Sequence, residues 1–200
     1  NEYKKCGMFV KVCGLTNQDQ VESLDSMVEY VGFIFYPHSK RHIETPPSSS
    51  KAKRVGVFVD ELLAEIQSKI ETHQLDYVQL HGDENPERCR EIGKKVPVIK
   101  SFGMDSFFDF KALIPFEGNV DYFLFDTKTP LKGGSGVQFD WSILNRYNLT
   151  TPFILSGGIN EDSIESIKQI HHPKLVGIDL NSRFEISPGN KDVQRIKNFI

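Results

Sequence analysis

Two residues with side chains suited to acid–base chemistry stand where apolar runs end. Cys13 closes the run Met8–Cys13, and Asp126 closes the run Asp121–Asp126. A cysteine in such a place is either a small buried hydrophobe or, with a lowered pKa, a thiolate nucleophile or base. A carboxylate after an apolar run is either the N-cap of a helix or a group that exchanges a proton with a ligand.

Polar residues and glycines follow most of the other apolar runs as well: Arg41, His81, Gly157, Gly158, Asp179, Asn181 and Ser182. The histidine suits either a structural hydrogen bond or a ligand contact. The glycines suit either turns or a cradle of backbone N–H groups for an anion, as does the segment Gly133-Gly134-Ser135-Gly136. Lys40 and Arg41 are either solvated surface residues or cations for a second anionic group.

The elements that must position these residues are eight short runs rich in β-forming residues. Most read as continuous apolar stretches, which is typical of parallel strands buried on both faces. The runs are Met8–Cys13, Val31–Tyr36, Arg54–Asp60, Asp76–His81, Pro97–Phe102, Asp121–Asp126, Pro152–Ser156 and Leu175–Asn181.

Helical periodicity fills most of the gaps between the runs, more weakly in gaps five and six, and Asn85-Pro86 predicts an N-cap and a first helical residue. The segment Ser39–Lys53 contains Pro46, Pro47 and a serine run, which predict a loop. Eight alternating strands and helices predict an α/β fold, a (β/α)8 TIM barrel in which a loop replaces the helix after strand 2. We expect residues 1–200 to form this single domain.

Composition excludes several classes of protein. The 200 residues include 24 basic and 27 acidic ones, a net charge of −3 that argues against a general nucleic-acid binder. Three cysteines without a C-x-x-C pair predict neither a disulfide framework nor a thiolate zinc site. No apolar stretch approaches a membrane span, so we expect a cytoplasmic protein without a membrane partner.

In combination, the motifs resemble those of the phosphoribosylanthranilate isomerase family of tryptophan biosynthesis, and they match in order from the first strand to the last helix. They are Lys11-Val12-Cys13-Gly14-Leu15-Thr16, Gly32-Phe33-Ile34-Phe35-Tyr36-Pro37 with Ser39-Lys40-Arg41, Val55-Gly56-Val57-Phe58-Val59, Val78-Gln79-Leu80-His81-Gly82, Phe125-Asp126-Thr127 with Gly133-Gly134-Ser135-Gly136 and Phe139-Asp140-Trp141, Leu155-Ser156-Gly157-Gly158, Asp179-Leu180-Asn181-Ser182 and Pro188-Gly189-Asn190-Lys191-Asp192.

The resemblance implies an Amadori rearrangement of N-(5-phosphoribosyl)anthranilate, a small phosphorylated substrate. This reaction requires no metal or redox cofactor, so we expect none. An acid protonates the furanose ring oxygen, the ring opens to an iminium, and a base removes the C2′ proton to give an enolamine that becomes the ketone. By the resemblance, Asp126 is the general acid and Cys13, with a lowered pKa, the general base. Arg41 binds the anthranilate carboxylate, and His81 and Asp179 line the substrate pocket. The implied phosphate cradle is Gly134, Gly157, Gly158, Asn181 and Ser182.

One residue departs from the family pattern in the implied phosphate site. Arg183 stands where the pattern has glycine. Either a positive φ strains this arginine, or the loop differs and the guanidinium assists phosphate binding.

Two other classes of protein compete with this interpretation. A related histidine-pathway isomerase would use two aspartates and two phosphate sites, whereas Cys13 and one evident glycine cradle argue against it. A barrel that binds anions without catalysis would have lost Cys13 or Asp126, and both are present. For the oligomeric state, we favour a monomer over a homodimer.

Overall fold

Eight parallel strands close into a barrel in the computed structural model, which describes residues 7–49, 51–128 and 138–200. Each strand pairs with its neighbours in chain order, and β8 pairs with β1 to close the sheet. The (β/α)8 fold predicted from the sequence is therefore confirmed. The strands are β1 (Phe9–Val12), β2 (Tyr30–Ile34), β3 (Lys53–Phe58), β4 (Tyr77–Leu80), β5 (Val98–Met104), β6 (Tyr122–Thr127), β7 (Phe153–Leu155) and β8 (Leu175–Leu180).

Helices cover the outside of the barrel where the sequence is strongly periodic. The α-helices are α1 (Gln18–Leu24), α2 (Leu63–His73), α3 (Pro86–Gly93), α4 (Ile164–Lys168) and α5 (Val193–Phe199). The Asn85 side chain caps α3 as predicted, since it accepts a hydrogen bond from the backbone N–H of Arg88 at 2.9 Å.

The two weakly periodic gaps contain 3₁₀ helices, Phe110–Phe116 and Trp141–Arg146. Pro115 lies inside the first, where its missing N–H is incompatible with a longer α-helix. A short antiparallel hairpin, β9 (Glu185–Ser187) and β10 (Asn190–Lys191), follows β8 and is absent from the sequence-based prediction.

A loop replaces the helix after β2, as the prolines and serines predict. In the described part of residues 35–52 there is no helix, and an isolated parallel bridge joins His42 to Ile34. The buried Asp25 carboxylate anchors the end of this loop: it accepts hydrogen bonds from Ser49 Oγ at 2.7 Å and from the Ala52 N–H at 2.9 Å. These hydrogen bonds pair polar groups of the loop that no helix pairs.

The strands present alternate residues to the two sides of the sheet. On β1, Val10 and Val12 pack outward into the core under the helices. Inside the barrel, Phe9 packs against a separate apolar cluster, Val55, Ile99, Leu124 and Ile154. Gly177 makes room for this packing, because a Cβ there would lie 2.3 Å from the Phe9 ring. The interior is therefore a filled core at its N-terminal end.

Candidate active site

An open cavity lies at the C-terminal ends of the strands. Residues that the sequence analysis selected from separate strands line it together: Cys13, His81, Asp126, Gly157, Gly158, Asp179, Asn181 and Ser182. The C-terminal end of a parallel barrel is where its loops converge, so this is where catalysis is expected. Eight separate sequence predictions thus meet in one place.

Cys13 lies just beyond β1 and is 4% exposed. Gly32 makes space for its thiol, because a Cβ at that position would lie 2.9 Å from Sγ. Burial raises the pKa of the Cys13 thiol, although the positive charge of Lys11 opposes the rise. The Cys13 thiol therefore has a raised pKa rather than the lowered one expected for a base, because desolvation of the thiolate outweighs the nearby cations.

Asp126 and His81 face each other across the floor of the cavity. The Asp126 Oδ2 atom lies 3.6 Å from His81 Nε2, and its Oδ1 atom accepts a hydrogen bond from the Thr127 N–H at 2.8 Å. His81 Nδ1 lies 3.1 Å from Gln79 Nε2. If Gln79 donates in that contact, the ring proton is on Nε2 and points toward Asp126. The Oε1 atom of Gln79 is buried and has no hydrogen-bond partner among the described residues.

Gly157 and Gly158 follow β7, both with positive φ, +88° and +68°. At Gly157 a Cβ would lie 2.5 Å from Thr127 Oγ1 and 2.8 Å from Asp126 Oδ1. Only glycine fits this backbone, because both its conformation and its close approach to Asp126 exclude a side chain. The loop after β7 therefore lies directly beside the Asp126 carboxylate.

Asp179 belongs to a buried ion pair at the base of the cavity. Its Oδ1 atom lies 2.8 Å from Lys11 Nζ, and Ser156 Oγ donates to its Oδ2 atom at 3.1 Å. The sequence analysis missed Lys11 and Gln79, whose side chains are 0% and 1% exposed. A signal for both was present, since each stands two residues before a selected residue on the same face of its strand.

The loop after β8 places Asn181, Ser182 and Arg183 at the cavity wall. Buried Lys191, on β10, donates to Asn181 Oδ1 at 2.6 Å and fixes its amide. Arg183 lies in a 3₁₀ turn and is not among the described non-glycine residues with positive φ. The interpretation of Arg183 as strained is therefore wrong, because this loop differs from one that requires glycine.

Arg41 lies beside the cavity rather than among the described residues that line it. Its side chain packs over Gly14, where a Cβ would lie 2.7 Å from Arg41 Cδ. Glu185 accepts a hydrogen bond from Arg41 Nε at 2.6 Å and another from Lys191 Nζ at 2.7 Å. Gly134 lies outside the described residues, so its predicted part in a phosphate cradle is not addressed by the structure.

In the described ranges, which leave out residues 1–6, 50 and 129–137, no helix has the length and apolar character that crossing a membrane requires. Nor do three or more His, Cys, Asp or Glu side chains there form a group that could hold a metal ion.

A parallel (β/α)8 barrel with a thiol, an imidazole and carboxylates around one cavity at the C-terminal end has the architecture of a barrel enzyme. Comparison with known proteins is more specific. Residues 10–200 match the family model described as N-(5′phosphoribosyl)anthranilate (PRA) isomerase. The chain therefore belongs to the PRA isomerase family, and it is an isomerase.

Individual relatives agree with this assignment. The N-(5′-phosphoribosyl)anthranilate isomerase of Parabacteroides distasonis is 45% identical over 96% of this chain and 92% of its own. The crystal structure of the Thermus thermophilus phosphoribosyl anthranilate isomerase has a TM-score of 0.85 at 27% identity, covering 96% of each chain. A second structure, 35% identical with a TM-score of 0.77 and 96% coverage of each chain, is of phosphoribosyl anthranilate isomerase in complex with reduced 1-(o-carboxyphenylamino)-1-deoxyribulose 5-phosphate.

Proposed function

We propose that this isomerase converts N-(5-phosphoribosyl)anthranilate to 1-(2-carboxyphenylamino)-1-deoxyribulose 5-phosphate in tryptophan biosynthesis, with Asp126 as general acid and Cys13 as general base. The observation that carries the proposal is that Cys13, after β1, and Asp126, at the end of β6, line the same cavity. Strands β1 and β6 are not neighbours in the barrel, so the two groups approach a bound sugar from different sides.

In the first step, Asp126 donates a proton to the furanose ring oxygen. The bond from this oxygen to C1′ breaks, and the anthranilate nitrogen supplies the electron pair that makes the iminium. The step leaves a negative charge on Asp126, and two neighbouring groups can stabilise that charge. The Thr127 N–H already donates to Oδ1, and His81 Nε2 lies 3.6 Å from Oδ2.

In the second step, the Cys13 thiolate removes the proton from C2′. The electron pair of the C–H bond forms the C1′–C2′ double bond of the enolamine, and the iminium nitrogen becomes neutral. The enolamine then tautomerises to the ketone. The burial of Cys13 excludes water from this step and is also the main cause of its raised pKa.

The substrate phosphate is proposed to bind where β7 and β8 end, at Gly157, Gly158, Asn181 and Ser182, with Gly134 completing the cradle. The positive-φ glycines bring backbone to the cavity without side chains, and loops seven and eight of barrels commonly hold phosphate. Arg183 lines the same wall and is proposed to add a cation. This positive charge matters for phosphate binding because few of the described lysines and arginines line the cavity.

The anthranilate carboxylate is proposed to bind Arg41. Glu185 holds the Nε edge of this guanidinium, which leaves the Nη groups as the donors that face a ligand. His81 and Asp179 line the cavity and are proposed to contact the sugar. We also propose that the protein is a monomer in the cytoplasm. Light scattering at working concentration tests the oligomeric state, and cell fractionation tests the location.

The test is a fluorescence assay in which anthranilate and phosphoribosyl pyrophosphate form the labile substrate in situ. The wild type is expected to consume this substrate rapidly. Cys13→Ala and Asp126→Asn are each expected to lower kcat on the order of 10²-fold or more, because each removes one proton-transfer group. Thermal unfolding of each variant reports whether it is folded.

Two matched variants control for the loss of a thiol or a carboxylate as such. Cys89→Ala removes the buried cysteine of α3, and Asp121→Asn changes the carboxylate just before β6, which accepts from the Val98 N–H at 2.8 Å. Both are expected to keep kcat near wild type. Full activity in folded Cys13→Ala or Asp126→Asn would contradict the assigned roles, and no turnover by the wild type would contradict the substrate.

A further inference from the structure

A lysine inside the barrel requires an explanation. Lys11 lies on β1 with no exposed surface, and its ammonium pairs with Asp179 on β8, its register partner, at 2.8 Å. Ser156 Oγ supports the other Asp179 oxygen at 3.1 Å. Burying such a pair is costly, and an apolar pair of similar size would usually serve stability as well. Stability alone therefore does not account for this pair.

Lys11 has a second partner, which belongs to the candidate active site. Lys11 and Cys13 are two residues apart on the same strand, so their side chains point to the same side of the sheet. The ammonium interacts electrostatically with both Asp179 and Cys13, and Gly32 leaves the space that the thiol occupies. The ammonium is thus shared between the Asp179 carboxylate and the Cys13 sulfur.

The charged groups that face Cys13 come from three elements. Lys11 on β1 and Lys191 on β10 favour its thiolate, whereas Asp179 on β8 disfavours it. Burial acts to lower the pKa of Lys11, but Asp179 and Cys13 more than offset it, so its pKa is raised. Lys11 therefore remains an ammonium at neutral pH. Burial lowers the pKa of Lys191 despite Glu185. Lys11 is accordingly the principal permanent cation beside the thiol.

We infer that Lys11 is a positioning residue for the isomerisation: held by Asp179, its ammonium stabilises the thiolate of Cys13. The inference rests on the proposed role of Cys13 as the base. Before the reaction, the thiol releases its proton to solvent and the ammonium faces the resulting negative charge. When the thiolate takes the C2′ proton, an S–H bond forms and the C–H electron pair passes into the enolamine. Lys11 keeps its own protons throughout.

The experiment titrates Cys13 directly in Lys11→Met. The thiolate absorbs in the ultraviolet, and subtracting the same protein with Cys13→Ala isolates its signal from the other cysteines. Without the ammonium, the titration midpoint of Cys13 is expected to rise by about one pH unit or more. Because activity requires the thiolate, the rising limb of the kcat–pH profile moves to higher pH. At pH 7, kcat falls roughly tenfold or more, whereas KM changes much less.

Lys100→Met is the matched control. Lys100 is 2% exposed and pairs with Glu84 at 3.3 Å, but its electrostatic contact is with Cys89 rather than Cys13. The control is expected to lose stability as Lys11→Met does and to leave the Cys13 midpoint and the position of the kcat–pH profile unchanged. A merely structural Lys11 would make the two variants behave alike.

A second variant covers the case in which Lys11→Met does not fold. Lys11→Met/Asp179→Asn removes both charges, so no unpaired ion stays buried. Its Cys13 midpoint is expected above that of Asp179→Asn, which loses the same carboxylate but keeps the ammonium. Equal midpoints in these two folded variants would overturn the inference. The titration needs no turnover, so it remains readable even if the proposed acid–base mechanism fails.

Discussion

The interior of the barrel differs between its two ends although the same strands build both. At the N-terminal end, Phe9 packs against Tyr30 and Tyr122 with ring centroids 4.7 and 5.6 Å apart. At the C-terminal end, the same three strands lead to Cys13, Ile34 and Asp126 around the cavity. One end is filled with rings, and the other is open and carries titratable groups.

The difference shows that one short strand can place stabilising side chains at its N-terminal end and reactive groups at its C-terminal end. Along β1, the inward residues are Phe9, Lys11 and then Cys13, and along β6 they are Tyr122, Leu124 and then Asp126. Two residues advance the side chain by about 7 Å along a strand. The ring packing at the N-terminal end thus lies only two inward-facing positions before the groups proposed to react. We expect that each end can still be altered without changing the other.

The largest effect at the ring-filled end is expected from Phe9→Ala. This change leaves a hole between Tyr30, Tyr122 and Gly177, and it should lower the free energy of unfolding by about 3 kcal/mol, as for other large-to-small changes in cores. In urea unfolding the midpoint should fall, whereas kcat of the folded fraction should stay close to wild type.

Phe107→Ala is the matched change at a surface, because Phe107 is 92% exposed. It should alter the free energy of unfolding by less than about 0.5 kcal/mol. If folded Phe9→Ala lost as much kcat as Cys13→Ala, the two ends would not be independent and the comparison would fail.

A smaller effect is expected from Glu117→Gln, also at the N-terminal end. One Glu117 oxygen accepts from the N–H groups of Thr150 and Thr151, at 2.7 and 3.0 Å, just before β7. Burial acts to raise the pKa of Glu117, but these hydrogen bonds outweigh it, so its pKa is lowered. Removing the charge should cost about 1 kcal/mol at pH 7, a value reduced by partial solvent exposure.

The pH dependence of this cost follows from the lowered pKa. A carboxyl that is more acidic in the folded state contributes stability above its unfolded pKa, and this contribution is lost as pH falls through the folded pKa. Urea unfolding of wild type and Glu117→Gln should therefore differ at pH 7 and converge in acid. A difference that persists unchanged in acid would show that the charge is not its source.

Much of the fold could be predicted from the sequence because burial on both faces makes each strand a continuous apolar run. All eight strands lie within two residues of those runs, and the loop after β2 follows from its prolines. The gaps before β6 and β7 gave weak helical patterns because the helices among their described residues are 3₁₀ helices. The β9–β10 hairpin was missed because its strands are too short to show a pattern.

Of the candidate site, the sequence could predict only the residues that stand at the ends of strands. Cys13, His81 and Asp126 stand at such ends, and the cavity includes all three. The partners of Lys11 and Arg41 could not be predicted, because Asp179 and Glu185 lie 168 and 144 residues away in the chain. The direction of the Cys13 pKa shift depends on burial, which one sequence does not specify.

The most direct test of the account is the deuterium isotope effect on kcat with substrate labelled at C2′. Cys13→Ala weakens the base, so C–H cleavage becomes slower and the isotope effect should exceed that of the wild type. Asp126→Asn weakens the acid, so ring opening becomes limiting and the isotope effect should shrink toward unity. The opposite pattern, or equal isotope effects in both variants, would contradict the division of roles between Cys13 and Asp126.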